Sequence, residues 1–208
     1  MSSPPHRWAR GLRTRPRSAA LLSPALLGLA LALAACGGGP PPATFDLAQG
    51  GTRGKALHGR HQLSVAEPTA LQPLDSDRIL VRRSDGSLAT LARAQWSDRL
   101  PRLLQSRIVQ AFENAGAVGR VSAFGGAATA DLTLDVEIRV FEVDVGAGQG
   151  HIELAATLIN AQSGRTTAAR ILQANAPGVT EGPAAAGSLD QALARLLPEL
   201  VHWAAPYL

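Results

Sequence analysis

The chain holds one cysteine, Cys36. A single thiol makes no intramolecular disulfide and no cysteine metal cluster. Burial as an inert thiol fits poorly with the run Gly37-Gly38-Gly39-Pro40-Pro41-Pro42 that follows it. The other groups that could do chemistry are dispersed. His58, His61, His151 and His202 have no neighbours in sequence that complete a metal-ligand set. His151 and Glu153 share one face of an alternating stretch and lack a third ligand. Asp131, Asp135 and Glu137 alternate with apolar residues, which is the pattern of a solvated strand face. Asp75 and Asp77 are placed to shape a turn. Gly146-Ala147-Gly148-Gln149-Gly150 has the look of a nucleotide loop, but it joins two strand-like stretches, whereas a phosphate site needs a following helix. There is no Walker motif and no Gly-x-Ser-x-Gly elbow. No catalytic set, cofactor or metal is therefore expected.

The surroundings of Cys36 carry more information. Arg7, Arg10, Arg13, Arg15 and Arg17 open the chain with no acidic residue among them, and an apolar stretch runs from Ala19 to Ala35. A basic start, an apolar middle and small residues before a cut form a secretory signal. A retained anchor is the other reading, but this stretch falls short of the roughly 20 residues that span a membrane. Pro24 and Gly28 also interrupt it. Leu33-Ala34-Ala35-Cys36 resembles the lipobox of bacterial lipoproteins. That resemblance implies cleavage before Cys36 and a diacylglycerol on its thiol. Residues 1–35 are thus read as signal peptide, 36–43 as lipidated cysteine and flexible tether, and 44–208 as the folded domain. Seven extended residues after the cysteine reach at most about 25 Å.

Charge shifts with that cut. Five of the 20 basic residues and none of the 16 acidic ones precede Cys36, leaving 15 against 16, a net charge of −1. A nucleic-acid-binding role, which needs a basic face, is not expected.

The elements follow from periodicity. Thr44–Leu47 is a short strand, 50–59 a loop, His61–Val65 a strand, and Arg78–Arg82 a strand that returns through Ser84-Asp85-Gly86 as a hairpin. Leu100, Leu103, Leu104, Ile108, Ala111 and Phe112 recur at helical spacing. Ser97 or Asp98 is the expected cap of that helix and Gly116 its stop. Trp96 is expected to pack over its first turn. Asp131–Val145 alternates strictly until a change of phase near Val140-Phe141, the mark of a bulge. Ile152–Asn160 and Thr166–Gln173 continue the meander, and 177–183 is a loop. Ser188 with Gln191 forms a capping-box pattern before Leu189, Leu193, Leu196, Leu197, Leu200, Val201 and Trp203, with Pro198 inside. The expected class is α+β: a largely antiparallel or mixed sheet with two amphipathic helices packed on it.

Three stretches now suggest a family. Leu74-Asp75-Ser76-Asp77-Arg78-Ile79-Leu80-Val81-Arg82 resembles the signature of the ABC-type transport auxiliary lipoproteins, the PqiC-like group. Leu91-Ala92-Arg93-Ala94-Gln95-Trp96-Ser97-Asp98-Arg99-Leu100 is similar to that family's tryptophan motif at the start of its first helix. The strand ending Phe141-Glu142 fits as well, and Thr44-Phe45-Asp46-Leu47 sits where members have a short aromatic strand. The resemblance implies a periplasm-facing lipoprotein working with an MCE-type system that moves lipids between inner and outer membranes. The flexible tether, the lack of a visible catalytic set and the apolar bulk of the last helix add the expectation of a non-enzymatic docking module that receives an MCE-domain protein and associates with further copies of itself. Gly37, not Asp, follows the cysteine, and by the same resemblance this implies the outer membrane. A lipoprotein hydrolase and a structural lipid-binding lipoprotein remain as alternatives. The apolar bulk of the last helix is either a partner surface or ordinary core.

Overall fold

The computed structural model describes residues 41–47, 60–116, 119–123 and 130–208. The signal, the lipobox with Cys36, most of the tether and the 50–59 loop lie outside the described residues.

The central element is the alternating stretch. It forms β7 (Leu132–Asp144). Leu132, Leu134, Val136 and Ile138 are buried on one face, while Thr133, Asp135, Glu137 and Arg139 are half-buried or exposed on the other. The register against the next strand shifts between Ile138 and Val140. Phe141 and Val143 are thereby returned to the buried face, which is the change of phase that the sequence marks near Val140-Phe141. Antiparallel β8 (Gln149–Asn160) and β9 (Thr166–Pro177) complete a three-stranded meander.

The opposite edge of β7 is shared. β2 (Gln62–Val65), β3 (Thr69–Ala70) and β4 (Arg78–Arg82) pair with it in turn, all parallel, along its length. β5 (Leu88–Trp96) returns antiparallel to β4 through the expected turn at Gly86, where φ is 84°. β1 (Ala43–Phe45) and β6 (Arg120–Ala123) add parallel partners to β5 and β2. The sheet is mixed: long antiparallel ladders of β7, β8 and β9 are joined to shorter parallel pairings. β3 and β6 were not foreseen, because two residues show no periodicity and β6 lacks an apolar alternation. β5 also runs on to Trp96, so the tryptophan motif ends a strand instead of opening a helix. Its register against β4 breaks between Arg78 and Leu80, and Arg93 takes a φ of 57° within the irregularity. β4 pairs with Leu88–Thr90 of β5 and again at Gln95, and β1 pairs with Ala94–Trp96.

Two helices complete the core. α1 (Leu100–Ala115) has Pro101 in its first turn and ends at Gly116, which is left-handed as the stop signal requires. Its beginning differs from expectation. The position before it is Arg99, with no side-chain cap; Leu100 N donates instead to the carbonyl of Ser76, 3.0 Å away. α2 (Ala186–Ala204) packs on β8 and β9. Ser188 is not its cap but an internal residue, 2% exposed, whose hydroxyl donates to the carbonyl of Ala185. A short 3-10 turn over Pro183–Ala185 leads into the helix. A Cβ on Gly150 would lie 2.5 Å from the Ser188 carbonyl carbon, so glycine is what lets α2 seat on β8.

Candidate functional site at the start of the domain

The first described strand is β1, and four contacts hold it and the residues just after it. Ala43, Thr44 and Phe45 pair with Ala94, Gln95 and Trp96. Ser97 N donates to the Phe45 carbonyl at 2.7 Å. Just beyond the strand, Asp46 accepts a 2.7 Å bond from Nη2 of Arg107, and Leu47 is 1% exposed in the core. Arg107 donates through Nη1 to Gln110 Oε1 at 2.8 Å, and its guanidinium is nearly buried. Load applied to the chain ahead of β1 would thus pass through a paired strand, a charge-assisted bond and a buried leucine.

Trp96 lies behind this point. It is 2% exposed and meets Phe141 edge-on, with ring centroids 5.9 Å apart and planes at 82°. It is a packing residue, as the sequence suggests, and it shares the core with Leu100 and Leu104 of α1. Arg99 ties the loop before β4 to the head of α1, through Asp75 and, at 3.2 Å, Glu67. Its guanidinium is held above the ordinary arginine range chiefly by the Asp75 hydrogen bond.

On the polar face of the sheet, Arg82 grips Glu142 with both Nε and Nη2, the latter at 3.0 Å. Glu142 is buried while Arg82 is partly open. The hydrogen bond, then the charge of Glu142, raises the Arg82 guanidinium above its usual range.

Glu142 and Arg107 were not singled out from the sequence. For Arg107 a signal exists: it stands three residues after Leu104 and four before Ala111, inside the apolar stripe. For Glu142 none does, because its partner comes from a strand 60 residues away.

Of the residues weighed for chemistry, only His61 and Asp131 are brought together among the described residues. His61 Nδ1 is 3.7 Å from Asp131 Oδ2, which also accepts from Gln62 N. Glu153 faces Arg139 at 3.7 Å, and Arg139 also meets Glu137. His202 is exposed on α2. His58 lies outside the described residues. Among the described residues, no group of three or more His, Cys, Asp or Glu could hold a metal. The glycine loop is a tight turn between β7 and β8, with Asp144 accepting from Ala147 N. No described helix is long and apolar enough to cross a membrane.

The apolar bulk of α2 is core. Leu189, Leu193, Leu196, Leu197, Leu200, Val201 and Trp203 are all buried. The helix therefore offers no surplus apolar face, and the reading of it as a partner surface is corrected.

Residues 45–201 match the family described as the ABC-type transport auxiliary lipoprotein component. The chain belongs to this family. An uncharacterized protein of Bradyrhizobium diazoefficiens is 33% identical to this auxiliary lipoprotein over 175 residues, 80% of the chain and 46% of that protein. The chain thus spans about half the length of that relative. A crystal structure of a Xanthomonas campestris protein is similar at 30% identity and a TM-score of 0.71, covering 78% of this chain and 95% of that one. Another crystal structure, of an uncharacterized protein, shares the fold at 14% identity and a TM-score of 0.62, covering 78% and 98%. A transport auxiliary lipoprotein component is what the order of motifs implied.

Proposed function

We propose that this auxiliary lipoprotein is anchored in the outer membrane by acyl chains on Cys36, with its domain facing the periplasm, and docks an MCE-domain protein of an intermembrane lipid transport system. Membership of the transport auxiliary family carries the reading. The Leu33-Ala34-Ala35-Cys36-Gly37 sequence supports the anchor and, through Gly37, the membrane. One acyl chain binds a bilayer only marginally, so stable anchoring relies on more than one. In this reading the domain has a binding role and no catalytic one. With α2 covered, docking falls to other parts of the domain. Edge strand β9, which pairs only with β8 among the described strands and exposes Ile171, is the natural place for a second copy to add.

Affinity capture of the full chain from detergent-solubilised membranes, after crosslinking in cells, tests the reading. An MCE-domain protein should be recovered with it. Its absence, together with hydrolysis of a lipid or glycan by the purified chain, would replace docking by enzymatic activity.

A further inference from the structure

A cavity of about 340 Å³ opens at the end of the sheet where β2 and β7 begin and β8 ends. Four stretches far apart in sequence build it. His61 and Asp131 lie at strand starts, Asn160 and Gln162 at the β8–β9 turn, Thr167 on β9, and Tyr207 near the chain's end. Leu132, 6% exposed, supplies an apolar wall. The site is held in shape. The Leu208 carbonyl accepts from the backbone N–H of Arg60 and of His61, at 3.1 and 3.3 Å, which fixes the last residues against β2. The Tyr207 ring leans on Trp203, centroids 6.3 Å apart, and stays 41% exposed.

The lining states what could bind. Among the described residues no Arg or Lys contributes to it and one carboxylate does, so an anionic ligand would be repelled. A metal would find one carboxylate and one imidazole, fewer than a site needs. Acyl chains would cover six polar side chains, among them those of Gln162, Thr167 and Tyr207, which have no side-chain partner among the described residues. What remains is a ligand with an apolar face and many hydroxyls. Asp131 spends Oδ2 on the N–H of Gln62, and Oδ1 is left to accept. Asn160 Oδ1 accepts from Ser163 N and Oγ, both at 2.9 Å, which turns its amide N–H groups outward as donors. The side chains of Gln162 and Thr167 and the Tyr207 hydroxyl make no hydrogen bond to other described residues.

We propose that this cavity binds one neutral pyranose unit, its C–H face against Tyr207 and Leu132 and its hydroxyls on Asp131, His61 and Asn160. The volume suits a small ligand with a few convergent polar groups. For about a dozen non-hydrogen atoms the affinity is weak, with a Kd on the order of 1 mM. The sugar comes from an envelope glycan or from a glycolipid head group, and both present the same ring.

Saturation-transfer NMR on the purified full chain, in a detergent without a sugar head group, tests the site with D-glucose and N-acetylglucosamine. At least one should receive saturation through its ring protons. Tyr207→Ala and Gln162→Ala, both at open positions, should weaken binding about tenfold with melting curves unchanged. A soluble glycan fragment and a glycolipid micelle, compared as competitors, identify the source: displacement by either supports the site. No transfer to either sugar at about 50 mM, far above the expected Kd, overturns the proposal. Equal binding by both variants, or displacement of the sugar by inorganic phosphate, overturns it too. Lipidation at Cys36 and the docking reading do not bear on the outcome.

Discussion

Arg107 and Asp46 form an unequal pair: the arginine side chain is 8% exposed, the aspartate 57%. The inequality sets the sign of what each mutation does. Asp46→Ala strands a buried guanidinium with Gln110 as its remaining side-chain partner. It should cost about 1–3 kcal/mol, the penalty of an unsatisfied buried polar group. Arg107→Met keeps the volume and leaves a carboxylate that water can reach, so it should cost less. Urea unfolding of both variants checks the order; a more damaging Arg107→Met would show that the guanidinium stabilises on its own account.

Arg82 and Glu142 pair the other way round, with the carboxylate buried. Arg82→Ala should destabilise by about 2–4 kcal/mol, less than a fully enclosed pair because the arginine is partly hydrated. The double variant Arg82→Met with Glu142→Leu should recover most of that loss, since no charge is then left behind. A double-mutant cycle by thermal unfolding measures the coupling, and a coupling near zero would show that the two groups act separately.

Two glycines near one another should respond oppositely to alanine. At Gly150 the new methyl meets the backbone of Ser188 and Leu189 within 2.7 Å, so α2 must move. The cost should be about 1–3 kcal/mol and the melting temperature should fall by several degrees. At Gly187, inside α2, a Cβ meets nothing within 4 Å. There alanine should be neutral or stabilising by up to about 1 kcal/mol, through helix propensity. Equal effects at the two positions would mean that the close approach of α2 to β8 is not a constraint.

Cys36→Ser should leave an uncleaved precursor without lipid, because no second thiol is present to take its place. Metabolic labelling with a clickable fatty acid reads the outcome directly, and equal label on the variant would remove Cys36 as the anchor. Density fractionation of the wild-type protein then tests the inference from Gly37: a protein found wholly with the inner membrane would contradict it.

Much of this molecule is legible locally. The alternation of β7, the return at Gly86, the apolar stripe of α1 and its end at Gly116 each depend on residues within a few positions of one another, and each is found where the pattern places it. The features around Cys36 belong to the sequence alone, because they lie outside the described residues. Tertiary structure decided the rest, for one reason: the partners are distant. A two-residue β3 exists because the edge of β7 is there to receive it. α1 starts at Leu100 because the carbonyl of Ser76 arrives from another loop, which no capping residue announces. Ser188 reads as a helix cap in the sequence and is buried against Gly150 in the fold. The charges of Arg107 and Glu142 are tolerable only where Asp46 and Arg82 meet them. The surplus leucines of α2 become ordinary core once β8 and β9 cover them. The cavity beside Tyr207 gathers residues 61 to 207 into one place, and nothing in the spacing of those residues foretells that meeting.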